Sequence, residues 1–157
     1  MSLKKLRIIA VGALRSPHWH AAAAHYLARL KHWRHIHEHV VKDADAGLPE
    51  AERVRLEGQR LLRVVRADDY LICLDECGKS MSSQVFAAFL NDISENAART
   101  PCFVLGGPFG LAEMVCSQAR VVLSLGPMTL PHELARVVLL EQIYRAEAIL
   151  RKNPYHH

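Results

Sequence analysis

Residues 103 to 111 read FVLGGPFGL: an apolar run leads straight into Gly106-Gly107-Pro108-Phe109-Gly110 and resumes at Leu111. A buried strand that ends in glycines needs either a tight turn or bare backbone where a ligand comes close. The same grammar, an apolar run closed by a break, recurs along the chain. RIIAV (7–11), the alternating HIHEHVV (35–41), YLICLD (70–75), CFVLGG (102–107) and RVVLSL (120–125) all have strand length. Helical patterns separate them: the Ala-rich stretch 18–30 after Pro17, then a helix opened by Pro49, with Glu50 and Glu52 in its first turn, that runs to about Arg66. Three more follow, one capped by Ser82 or Ser83 and running to about Asn96, a short one over about 111–119, and a long one from Pro131 to about Arg151. Five such units imply an α/β fold, a mostly parallel sheet with helices on both faces. Ligands in these sheets sit beyond the carboxyl ends of strands, which directs attention to the loops at Leu74, Gly106 and Leu125.

Bulk properties bound the function. A chain of 157 residues fits one domain, residues 1–157, and 50% hydrophobic with 23% charged residues is an ordinary globular balance. The formal charge of +4, with ten histidines besides, suits an anionic partner without requiring one. The longest apolar runs fall short of the ~18 residues of a membrane span, and Arg15 interrupts LKKLRIIAVG too early for a secretory segment. We therefore expect a cytoplasmic protein with no membrane partner. Cys73, Cys77, Cys102 and Cys116 lack C-x-x-C spacing and read as small thiols in a reducing compartment. His35, His37 and His39 share one strand face, but metal ligands normally converge from several elements and a polar sheet edge explains the pattern, so no metal is expected.

Two features remain. Over 134–150 the final helix is apolar around almost its whole circumference, which requires burial by the core on one side and by a partner on another. Within it Glu141 and Arg145 are spaced for an ion pair, as are Glu147 and Arg151, the first reading as a functional or interface pair and the second as an ordinary one. The glycine loop matches neither G-x-G-x-x-G nor G-x-x-x-x-G-K-[ST], which disfavours a dinucleotide oxidoreductase or another nucleotide-cofactor enzyme. A second strand-end loop, SLGPMTLPHEL (124–134), combines a Gly-Pro break with Thr129, Pro131 and a first-turn His132. Together the two loops offer main-chain groups to clasp a flat adenine. Arg53, Arg55, Arg60, Arg63 and Arg66 make one helix face basic, either a solvated face or an RNA-facing one.

FVLGGPFGL, SLGPMTLPHELARVVLLEQIYRA and the terminal NPYHH closely resemble the small SPOUT-class methyltransferases that modify N3 of a pseudouridine in bacterial large-subunit (23S) ribosomal RNA. IIAVG with Trp19 and Tyr26, and LICLDECGK, match in order, so the resemblance spans essentially the whole chain and is densest over 103–157. It implies a SPOUT-type fold with a C-terminal deep trefoil knot, a homodimer, and S-adenosylmethionine as cofactor, acting on ribosomal RNA within the assembled ribosome. The implied cofactor site is Leu74, Gly106, Leu125, Gly126, Pro127, Met128, Thr129 and Leu130. Gly106 is expected to let the cofactor reach the backbone, with Gly107 and Gly110 letting the chain turn away.

The implied catalytic residues are His132, Glu141, Arg145, Tyr155 and His156. In that scheme Arg145 orients and charge-stabilises the uracil-like ring while Glu141 holds it. His132 is either the base or a capping histidine, and the Tyr155–His156 tail closes over a site, in a dimer the partner's. Arg15, His18 and the basic helix face are the expected RNA contacts. Where the family often carries an acid or amide, this chain has Phe109, and it ends with His157 where Arg or Lys commonly follows Tyr-His. A non-catalytic RNA-binding protein is the competing class.

Overall fold

The structure, a computed structural model, describes residues 2–156. The side chain of His156, and His157 altogether, lie outside the described residues. The order is β1 (Lys4–Val11), α1 (Pro17–Leu30), β2 (Arg34–Val41), α2 (Glu50–Arg63), β3 (Asp69–Ser80), α3 (Ser83–Glu95), β4 (Thr100–Leu105), α4 (Glu113–Cys116), β5 (Val121–Ser124) and α5 (His132–Leu150), closed by a 3-10 turn at Pro154–His156. All sheet pairs are parallel, in the order β2-β1-β4-β3-β5.

Alternation along the inner strands assigns the two faces. Leu6, Ile8 and Ala10 of β1 pack with Phe86, Leu90, Leu139 and Ile143 under α3 and α5, while Ile9 and Val11 face Leu61 and Val115 under α2 and α4. Both faces are thus dry, and residues 101 to 105 of β4 are buried without interruption. Ser82 caps α3, its side chain accepting from the Val85 amide at 3.2 Å.

Three segments differ from the sequence-based expectation. β3 was expected to end at Asp75 in an acidic loop, yet pairing resumes after a register break, so that Leu74 and Lys79 both face Leu123 of β5. The returning segment crosses so close that a Cβ on Gly78 would stand 2.7 Å from the Val122 carbonyl, a contact only glycine permits. The expected helix over 111–119 contains four helical residues, after which Gln118 and Ala119 donate to carbonyls three residues back, in turns. The Glu147 and Arg151 pair is no ordinary surface pair: Glu147 is 2% exposed and takes a second guanidinium, that of Arg34 on β2, whose Nε donates to Oε1 at 2.6 Å.

α5 lies between α1 and α3 with Leu139, Leu140, Ile143 and Ala146 fully enclosed. What stays half-exposed is a stripe of Leu134, Val138, Glu141, Gln142, Arg145 and Ile149. Replacing Glu147 would leave Arg34, 1% exposed, with only the Ser94 hydroxyl and a 3.5 Å contact to the Lys5 carbonyl. Because an uncompensated buried charge is costly, Glu147→Ala is expected to lower unfolding stability by about 3 kcal/mol or more in a denaturant titration.

Candidate active site

The carboxyl ends of β3, β4 and β5 open into one cleft of about 840 Å³. Its walls are Leu74 from β3, Leu105 and the loop 106–110 from β4, and Leu123, Leu125, Gly126, Met128, Thr129 and Leu130 from the β5–α5 connection. Of the expected cofactor residues only Pro127 does not line it. Ser124 shapes the second wall, its hydroxyl donating to the Gly126 carbonyl at 2.8 Å and accepting from the Gly126 amide at 3.1 Å while Gly126 takes φ +139°. Met128 stands 82% exposed at the rim.

The glycine loop answers the question posed by its sequence. Gly107 and Gly110 form an antiparallel bridge, the Gly110 amide donating to the Gly107 carbonyl at 3.0 Å, so Pro108 and Phe109 are the tip of a pinned turn. A Cβ on Gly106 would lie 2.4 Å from the Gly110 carbonyl carbon. Its missing side chain therefore makes room for the loop's own return, not for an approaching ligand, although its backbone still borders the cleft.

The sequence showed an acidic segment after YLICLD but not that it would form a lip of the cleft together with Glu50. Glu50, Asp75 and Glu76 line the cleft, and no Lys or Arg does. Glu76 bridges it, its Oε2 accepting from the Thr129 hydroxyl at 2.5 Å. The signal was legible as DEC directly after a strand, the position where polar groups meet ligands. Cys77 also lines the cleft, whereas burial pushes the Cys73 thiol up to about 12, an inert core group.

The expected catalytic residues fall into two places. His132, half-exposed in the first turn of α5, lines the cleft and hydrogen-bonds to no described residue; Pro131, not His132, occupies the N-cap. Arg136 anchors this end of α5, donating to Glu38 at 3.1 Å and to the Gly12 carbonyl at 3.3 Å, and Glu133 accepts from the Ser16 amide at 3.2 Å. Arg145 and Glu141 sit near the other end. Arg145 donates through Nε at 2.9 Å and Nη2 at 2.7 Å to a single Glu141 oxygen, the bond that raises the Arg145 pKa above its ordinary value. Tyr155 donates to the same oxygen at 3.3 Å, and Gln142 to the other at 2.6 Å. Burial, reinforced by Tyr26 and Glu141, pushes the Tyr155 phenol up, so it stays a donor and not a proton acceptor. Arg145 follows His132 by thirteen residues of α5, about 20 Å at ~1.5 Å per residue. One chain therefore keeps its Arg145 cluster away from its own cleft.

The tail is held there by rings. Tyr155 meets Tyr144 edge-on at 4.6 Å, and Trp33 stacks on Tyr144 at 5.0 Å. Among the expected RNA contacts, Arg15 is largely exposed and pairs with Asp43 at 2.8 Å, and His18 is exposed. The basic face expected to run to about Arg66 is divided: Arg60 donates to the Lys42 and Asp43 carbonyls, each at 2.9 Å, and Arg55 to Glu52 at 2.9 Å, Arg63 is exposed at the end of α2, and Arg66 lies beyond the helix, also exposed. No cluster of three or more His, Cys, Asp or Glu suited to a metal occurs among the described residues, and no described helix is long and apolar enough to cross a membrane.

A parallel sheet with a ligand cleft between two strand-end loops is the architecture of a cofactor-binding α/β enzyme. Residues 4–156 match the family model described as "Predicted SPOUT methyltransferase", and the chain belongs to that family. It is 53% identical over 155 residues to the ribosomal RNA large subunit methyltransferase H of Nitratidesulfovibrio vulgaris (strain Miyazaki F), covering 99% of this chain and 100% of that protein. It is 54% identical over 157 residues to the protein of the same name from Desulfovibrio desulfuricans, with 100% of each covered. A crystal structure of a probable methyltransferase from Bordetella pertussis shares the fold at a TM-score of 0.57 and 17% identity, covering 92% of this chain and 96% of that one.

The pinned glycine turn gives a direct test. Gly106→Ala forces backbone apart at 2.4 Å, and should cost about 1–3 kcal/mol of stability, seen as a lowered thermal midpoint; Cys77→Ala, at an exposed cleft position, should leave the midpoint within experimental error.

Proposed function

We propose that the chain methylates N3 of a pseudouridine in large-subunit ribosomal RNA, using S-adenosylmethionine and working as a homodimer on the assembled ribosome. Membership of a methyltransferase family fixes the reaction class, and the full-length relatives are named as methyltransferases of large-subunit ribosomal RNA, which supports that substrate. The observation that carries the rest is the separation along α5. The midpoint between positions 132 and 145 falls between Val138, on the half-exposed stripe, and the buried Leu139. An antiparallel, two-fold pairing of α5 helices centred there brings His132 of one chain level, along the helix axis, with the partner's Arg145. One active site then draws its cleft from one chain and its arginine and tail from the other. The knot expected of this fold is part of the proposal, supported by β5 pairing with β3 on both sides of the register break and by α5 running back between α1 and α3.

The cleft fits the cofactor. Its volume lies in the range of small-molecule sites, its leucines suit the faces of an adenine, and its loop backbone suits the ring edge. Three carboxylates without a Lys or Arg suit a sulfonium and an ammonium and would repel the pyrophosphate of a dinucleotide. S-adenosylmethionine, when bound, supplies a methyl already activated on a positive sulfur, so the protein needs no nucleophile of its own.

The chain's tasks are alignment and proton removal. Leu74, Leu125, Gly126, Met128, Thr129 and Leu130, with Gly106 and Pro127 shaping the loops, hold the cofactor. His132, free of hydrogen bonds within the described chain, is placed to take the N3 proton as the methyl moves on. The partner's Arg145, held by Glu141 and steadied by Tyr155, presents N–H donors to a base carbonyl and stabilises negative charge that develops on the ring. His156 follows Tyr155 in the tail and is assigned with it to the substrate side. Methyl incorporation into purified ribosomes, compared with isolated ribosomal RNA, tests this reading. We expect incorporation on ribosomes and a loss of at least a hundredfold in kcat/KM for Arg145→Ala with S-adenosylmethionine binding retained; no incorporation into any ribosomal particle would overturn it.

A further inference from the structure

The structure points to a use for Phe109: we propose that Phe109 and Arg53 form a receptor for one unpaired nucleotide of the RNA substrate, base on the ring and phosphate on the guanidinium. The inference rests on the RNA reading above and extends it to a specific contact. Phe109 is 44% exposed, a large apolar ring at the tip of a turn pinned by the Gly107–Gly110 bridge. An aromatic that pays its ordering cost before binding is a good stacking platform. The ring stands on the wall between two hollows, the cofactor cleft and a groove of about 600 Å³ lined by Val54, Arg55, Ala112 and Met114 with the carboxylates Glu50 and Glu113, so the phosphate is assigned to the Arg53 side of the ring and not to either hollow. A base laid on it is therefore a near neighbour of the base being methylated.

Arg53 supplies the second half. Its guanidinium carbon lies 5.0 Å from the Phe109 centroid, within cation–π distance. It makes no ion pair or side-chain hydrogen bond among the described residues, and its Nε is enclosed without an acceptor. The carboxylates at helical spacing from it on α2, Glu50 and Glu57, make no ion pair with it among the described residues, Glu57 accepting instead from the Ala44 amide at 3.1 Å. The guanidinium lies over the ring, and the part of the ring left exposed, with the unpaired fork against it, matches the two halves of a nucleotide, a flat π face and a phosphate. Single-stranded, splayed nucleotides present both together, whereas a duplex hides the base face.

The test measures binding of Phe109→Leu, Phe109→Trp and Arg53→Gln to purified ribosomes and to a fluorescent unstructured RNA of about ten nucleotides, with ribosome KM and oligomeric state determined in parallel. Leucine keeps apolar bulk but removes the π face, so Phe109→Leu is expected to weaken binding of both RNAs about tenfold and raise the ribosome KM similarly, with Phe109→Trp restoring both. Arg53→Gln is expected to weaken binding and flatten its salt dependence by about one phosphate contact. If Phe109→Leu binds both RNAs as tightly as the parent, the proposal is wrong. It is equally wrong if that variant loses only S-adenosylmethionine affinity, or if it dissociates the protein into monomers, since the ring would then belong to the cofactor wall or to a second copy. Parent protein that binds the RNA and fails to methylate ribosomes would count against the proposed reaction and leave the RNA contact standing.

Discussion

Between Leu74 and Lys79 the third strand leaves its ladder and returns to it, and both residues end opposite Leu123. The chain spends those intervening residues on a bulge that pushes Asp75, Glu76 and Cys77 out to the mouth of the cleft. Its return is possible only because Gly78 brings backbone against backbone at Val122. With β5 clamped on both sides of the bulge, the loop that follows can leave in one direction, over the cleft, where Thr129 reaches Glu76. α5 then starts at the cleft and runs back between α1 and α3, so the same constraint sets the direction of the helix that carries His132, Glu141 and Arg145.

Much of this was readable. The five strands and the four long helices were legible in place, if not all in length: most buried parallel strands read as apolar runs, and proline or serine punctuates the starts of α1, α2, α3 and α5. The glycine loop and LGPMTL were recognisable as paired strand-end loops. The register break was not, since DECGK carries the composition of a loop and nothing local reveals that its far end pairs again. The reason for Gly106 was also hidden, because the atom it must avoid belongs to Gly110 and is set by the turn's closure. Long-range ion pairs escaped for a similar reason. Glu147 with Arg151 is visible at helical spacing, but Arg34 is 113 residues away from Glu147.

The charges are sorted by place. A chain of net charge +4 keeps Lys and Arg out of the cleft lining and lines it with carboxylates. Apart from the buried Arg7, Arg34 and Arg136, the basic residues lie on the faces outside, where salt-dependent contact with phosphate is useful. Within α5 the sorting is along the axis: the cleft-side end holds a histidine without a partner, and the far end holds an arginine whose carboxylate is already in place. The two ends stand thirteen residues apart along α5, and an antiparallel two-fold pairing would bring each level with the other end of the partner helix, as the proposed shared site requires.

The most direct measurement of that claim is activity from mixed dimers. His132→Ala and Arg145→Ala proteins are each expected to be nearly inactive alone. Unfolded together and refolded as a mixture, half of the dimers are mixed, and each mixed dimer holds one site with both residues intact. Shared sites therefore predict recovery of about a quarter of the parent methylation rate on ribosomes. A mixture as inactive as its two components, in a sample shown to contain mixed dimers, would contradict the account and place His132 and Arg145 in the same chain's site.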